Sequence, residues 1–108
     1  MTRKVYNGWH NYETWAANLW MDNEQGSHEH YREQAEHCYD NATPHSGLTR
    51  ADVATHNLAD VLRAEHEEAM PDVTGVFADL LNAALSEVNW DEIARHYVND
   101  WIDDVLRN

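Results

Sequence analysis

The chain has one cysteine, two prolines and four glycines in 108 residues, and seven lysines and arginines against twenty aspartates and glutamates. A single cysteine, Cys38, excludes an intrachain disulfide and an all-cysteine zinc site. Four scattered glycines leave no glycine-rich phosphate loop. No stretch approaches the roughly 18 consecutive apolar residues that a bilayer span needs. The opening Met1 to Gly8 lacks the apolar region of a secretory signal. The shortage of basic residues gives a formal charge of -13 and a pI near 4.7. Binding nucleic acid depends on basic residues displacing counterions, so phosphate is a poor partner, and an anionic membrane surface is disfavoured on the same grounds. The expectation is a cytoplasmic protein that touches neither nucleic acid nor membrane directly. An acidic surplus favours instead a basic partner surface or a cation.

The apolar content is ample: 43% of residues are hydrophobic and 10% aromatic, enough for one compact core and a single domain over residues 1–108. Asn11 stands where a helix cap would, with Glu13 in the first turn and Trp15, Ala16, Leu19 and Trp20 at helical spacing up to Gly26. Ser27 then opens a second helix with Tyr31, Ala35, Cys38 and Tyr39 inward, followed by a loop over residues 41–47. Thr49 with Asp52 has the form of a capping box before a third helix, which places Val53, Ala54, Asn57, Leu58, Val61 and Leu62 on one face and reaches about Ala69. Pro71 breaks the chain. A fourth helix then carries Val76, Phe77, Leu80, Leu81, Ala84, Leu85 and Val88, the most hydrophobic side in the chain and so the expected centre. Asn89 and Glu92 cap a fifth helix with the stripe Ile93, Ala94, Tyr97, Val98, Trp101, Ile102, Val105 and Leu106, and Arg107 at its negative end. Lys4-Val5-Tyr6 is the one short stretch able to pair as an edge strand. The fold class is all-α, a single bundle of about five helices.

Eight histidines invite a metal reading. His30, Glu33 and His37 lie at i, i+3 and i+7 on the second helix, within reach of one divalent ion, and this defines an alternative function as a metal-binding or metal-sensing module. The competing reading is three solvated positions on an outer face. Cys38 follows His37 directly, but sequence neighbours on a helix point about 100° apart, so the pair does not make a thiolate nucleophile. No catalytic motif stands out, and neither enzymatic activity nor a cofactor is expected. Trp9, Trp15 and Trp20, with Tyr6 and Tyr12, cluster at the start. Either Trp15 and Trp20 pack inside while Trp9 folds over the helix start, or some of these rings anchor a partner.

The opening Asn7-Gly8-Trp9-His10-Asn11-Tyr12-Glu13-Thr14-Trp15, continued by Asn18-Leu19-Trp20-Met21-Asp22-Asn23, resembles an uncharacterised family of small phage- and plasmid-borne proteins. The hallmark of that family is an N-G-W-x-N-x-E-T-W start followed by N-L-W-x-x-N. Residues 78–90 are similar to its second shared block. The resemblance implies a mobile-element origin and brings no activity or catalytic residues with it. By class, small acidic helical proteins of such elements are similar to inhibitors of host defence of the anti-CRISPR or anti-restriction type.

Residues four apart on a helix rise about 6 Å, comparable to the ~7 Å between phosphates along a DNA strand. The expected function is therefore a binding protein that occupies a basic surface of a host protein or nucleoprotein complex, with DNA mimicry as one mode. The expected contact residues are Glu67, Glu68, Asp91, Asp100, Asp103 and Asp104, with Trp9, His10 and Tyr12 beside them. A homodimer joined through the Trp-rich face is a further alternative.

Overall fold

A computed structural model describes residues 6–106, apart from the side chain of Gln25. Of Lys4-Val5-Tyr6, the stretch able to pair at an edge, Lys4 and Val5 lie outside the described residues, as does Arg107, while Tyr6 pairs only locally with Trp9. Five α-helices follow in order: α1 (Tyr12–Asn23), α2 (Gln25–Asn41), α3 (Arg50–Ala69), α4 (Val76–Glu87) and α5 (Trp90–Trp101), the last running into a wider π turn over Ile102–Leu106. The expectation of an all-α bundle of five helices holds.

The core is built on α5, which packs against α3 and α2. Trp90, Ile93, Ala94, Tyr97, Val98 and Trp101 are all buried, and they meet Ala54, Leu58, Ala59 and Leu62 of α3 and Ala35 and Cys38 of α2. α3 and α5 run antiparallel, since Asp52 pairs with Arg95 while His56 pairs with Asp91. The buried face of α3 includes Thr55 and Ala59, whereas Asn57, expected inward, is exposed. Thr55 satisfies its hydroxyl by donating to the carbonyl of Ala51 at 2.8 Å, which lets a polar residue face the core.

Caps read from the sequence are present at three helix starts. The Asn11 side chain accepts from the amide of Thr14, Asn89 accepts from that of Glu92, and Thr49 and Asp52 form the reciprocal box. The first boundary falls elsewhere than expected. Glu24, not Ser27, precedes α2, and Gly26 lies inside its first turn; the Ser27 hydroxyl donates to the Glu24 carboxylate at 3.2 Å.

Two larger corrections concern which faces are buried. On α1 the inward residues are Thr14, Asn18 and Met21, one step round from the expected stripe, so Leu19 and Trp20 face outward. The reason is polar. Thr14 Oγ1 accepts the amide of Asn89 at 2.9 Å, and Asn18 Nδ2 donates to Asp22 Oδ2 at 2.9 Å. Asp22 Oδ1 in turn accepts from the Tyr97 hydroxyl at 2.5 Å. α1 is thus fastened to α5 by hydrogen bonds, which outrank the pull of its own tryptophans. The second correction is α4. It is not the centre of the bundle: it lies at the outside, mainly against α1, with no residue buried.

Candidate functional site

The N-terminal cluster is built on a tight turn. Asn7 (φ 47°) and Gly8 (φ 89°) both occupy the left-handed region, and Tyr6 and Trp9 exchange both backbone hydrogen bonds, at 3.1 and 2.7 Å. This is the backbone that an Asn-Gly pair favours. The turn lays Trp9 edge-on to His96 of α5, with ring centroids 5.5 Å apart. Trp9 is half-buried and packs on the core, so its ring is largely spent inside the molecule. His10 is exposed and gives its backbone amide to Glu92 Oε1 at 3.0 Å. Tyr12, 53% exposed, stands against Tyr6 and Trp15. The most exposed aromatic of the chain is Trp20, at 70%, which the sequence did not single out as a contact.

The same segment ties the two ends of the fold together. Asn11 caps α1 with its oxygen and donates through Nδ2 to the carbonyl of Glu87, at 2.7 Å, at the end of α4. With Thr14 on Asn89 and His10 on Glu92, the opening segment and the junction between α4 and α5 meet in one joint. Asn7, Asn11 and Thr14 are therefore explained by structure.

The expected acidic contact residues divide into three places. Asp100, Asp103 and Asp104 share a shallow hollow of about 360 Å³ with Arg32, whose guanidinium donates to Asp104 Oδ2 at 2.8 Å. Asp91 lies on the α3 side of α5, 3.3 Å from His56 Nδ1. Nine residues separate Asp91 from Asp100, about two and a half turns, so they occupy opposite flanks of the helix. Glu67 lines a groove between α3 and α4 of about 600 Å³, together with Arg63, Met70, Asn82, Leu85 and Trp90, and Glu68 is exposed beside it. A single continuous row of carboxylates is not formed.

Cations show the opposite pattern. The described residues hold all twenty carboxylates and four of the seven basic side chains. All four described arginines are engaged within the chain. Arg32 pairs with Asp104, Arg63 with Asp60 and Arg95 with Asp52. Arg50 donates to the carbonyls of Tyr39 and Asp40 and lies 4.4 Å over the Tyr39 ring, closing the C-terminal end of α2.

His30, Glu33 and His37 do lie on one face of α2 and line a hollow of about 390 Å³. Both histidines have one ring nitrogen near another side chain. His30 Nε2 is 3.2 Å from Glu65 Oε1, and His37 Nδ1 is 3.4 Å from the Asn41 side chain. Among the described residues no group of three or more His, Cys, Asp or Glu side chains is arranged to hold a metal ion. Cys38 is buried, and burial pushes its thiol up from the ordinary value, toward the inert protonated form. Burial, then the adjacent Asp22, push the Tyr97 phenol far above its usual range, so it serves as a hydrogen-bond donor.

Among the described residues no helix is long and apolar enough to cross a membrane. What the fold and surface define is a five-helix α bundle with an acidic exterior. The chain belongs to a family of unknown function (DUF7249), whose pattern matches residues 2–107. No curated protein and no solved structure matches it.

Proposed function

We propose that this chain is a non-enzymatic binding protein whose acidic exterior docks on a basic protein surface. The observation that supports this is the internal use of all four described arginines, which leaves the carboxylate surplus to be met from outside. Attraction of this kind steers encounter and suppresses wrong partners, and salt screens it within about 8 Å at physiological ionic strength. The division of the acidic residues into three places fits a partner that wraps or grips the bundle better than a straight duplex groove. In the setting of a phage or plasmid, such a protein is an inhibitor of a host nucleic-acid-handling complex, of anti-CRISPR or anti-restriction type, and it acts by covering the basic channel.

The test is capture from a bacterial lysate on the immobilised chain at low and high salt, followed by competition of each captured protein with duplex DNA. The expected result is a nucleic-acid-binding protein retained at low salt, released at high salt and displaced by DNA. Replacing Asp91, Asp100, Asp103 and Asp104 with Asn is expected to abolish capture with helicity unchanged. Retention that ignores both salt and the four replacements overturns the reading.

A further inference from the structure

The outer side of α4 is the feature that the acidic reading leaves unused. Val76, Phe77 and Leu80 are 62%, 69% and 62% exposed, and Ala83 and Ala84 are exposed with them. At ~100° per residue these five positions fall within about 120° of helix surface. The other side of the helix, Ala78, Leu81 and Leu85, is the half-buried one that faces the body. A helix apolar on both sides is ordinarily enclosed, and a contiguous exposed apolar patch marks an interaction surface.

The charges around this face say what covers it. From residue 64 to residue 94 the chain has eight carboxylates and no lysine or arginine. Asp79 lies at the edge of the apolar face, Glu87 at its C-terminal end and Asp72 in the segment that leads into α4, all exposed. A second copy would bring the same acidic rim against this one, with -13 on each chain. A segment with an apolar row flanked by basic residues meets both parts of the surface.

We propose that the outer face of α4 is an anchor for a basic amphipathic helix of a partner protein. The partner's apolar row lies on Val76, Phe77 and Leu80, and its Lys or Arg side chains meet Asp72, Asp79 and Glu87. This is helix recognition by a complementary apolar strip. It rests on the acidic-docking reading and adds to it the chemical class of the partner.

The experiment uses two dye-labelled synthetic peptides of equal charge: an amphipathic leucine-lysine helix of about 14 residues, ~21 Å long, and a shorter oligolysine with the same number of lysines. Fluorescence anisotropy is read at low and physiological salt against the whole chain. The amphipathic peptide is expected to bind about tenfold or more tighter than oligolysine, since burying two large side chains exceeds the ~1.4 kcal/mol that tenfold requires. The double replacement Phe77→Gln and Leu80→Gln, both to good helix formers, is expected to remove that margin while leaving oligolysine binding and the far-ultraviolet circular dichroism unchanged. Phe77→Leu with Leu80→Met should retain it. Equal affinity for the two peptides, or no effect of the Gln pair, overturns the α4 proposal and leaves acidic docking standing. Failure of both peptides to bind at low salt overturns both. A parent chain that sediments as a dimer, and as a monomer with the Gln pair, assigns the face to a second copy and overturns the proposal.

Discussion

α4 and α5 have twelve residues each, and α4 is the more apolar of the two. Even so, α5 buries six side chains and α4 none. The difference lies in direction. α5 gathers Ile93, Ala94, Tyr97, Val98 and Trp101 on one side and puts Arg95, His96, Asn99 and Asp100 on the other, so a single orientation satisfies every residue. α4 has apolar groups on two sides and no orientation that hides both. It also has no side-chain cap at its start, where Gly75 takes a φ of 65°, while α5 is held by Asn89 and by the Thr14 joint. Amphipathic contrast and anchoring at the ends decide which helix becomes the core.

The sharpest way to break the comparison is truncation on each helix. Ile93→Ala should cost about 2–5 kcal/mol by opening a cavity in a packed core, whereas Leu80→Ala should stay within about 0.5 kcal/mol. Denaturant titration checks both, and comparable losses would mean that α4 is buried in solution. Next in size is the joint that holds α5 to α1. Thr14→Val keeps the shape but leaves the Asn89 amide without its acceptor, a loss of about 1–3 kcal/mol, read in the same titration. Smaller again is the α5 cap: Asn89→Ala should cost about 1 kcal/mol, seen as a lower melting temperature.

The smallest effect is one of pH. In the α3 cap the hydrogen bonds from Thr49, then the Arg95 guanidinium, hold the Asp52 carboxyl below its ordinary value of 3.8. A lowered folded value means that the ionised group stabilises the fold fully above about pH 4 and that this contribution is lost as the pH falls through the folded value. The stability difference between the parent and Asp52→Asn should therefore be constant near neutrality and shrink on acidification below about pH 4. Melting curves across that range test it, and a difference that grows in acid would contradict the cap assignment.

The elements were legible in the sequence because caps and stripes are local signals. Asn11, Thr49 and Asn89 mark three helix starts, and the inward face of α5 follows from its spacing as far as Ile102, beyond which Val105 and Leu106, expected inward, are exposed on the π turn. Burial on α1 and α4 was not legible, because it depends on distant partners. Nothing near Thr14 announces that its hydroxyl will meet the amide of Asn89, 75 residues away. The same holds for Trp20, whose position on the outside follows from that joint. The candidate acidic residues were visible as composition, but their division over two flanks of α5 and the end of α3 required the geometry. The apolar outer face of α4 did have a local signal in its lack of a polar side, and hydrophobicity alone misassigned it to the centre.

The joint between the two ends also sets an order of events during synthesis. Thr14 is synthesised 75 residues before the amide it binds, an interval of roughly 4–15 s at ~5–20 residues per second. Throughout that interval Trp9 lacks His96 and Asn11 lacks the Glu87 carbonyl. The Trp9 ring is thus exposed in the nascent chain and packed away when α5 arrives, whereas Tyr12 and Trp20 stay on the outside. A chain that ends before α5 leaves the Trp9 ring uncovered permanently, a ready substrate for chaperones and proteases.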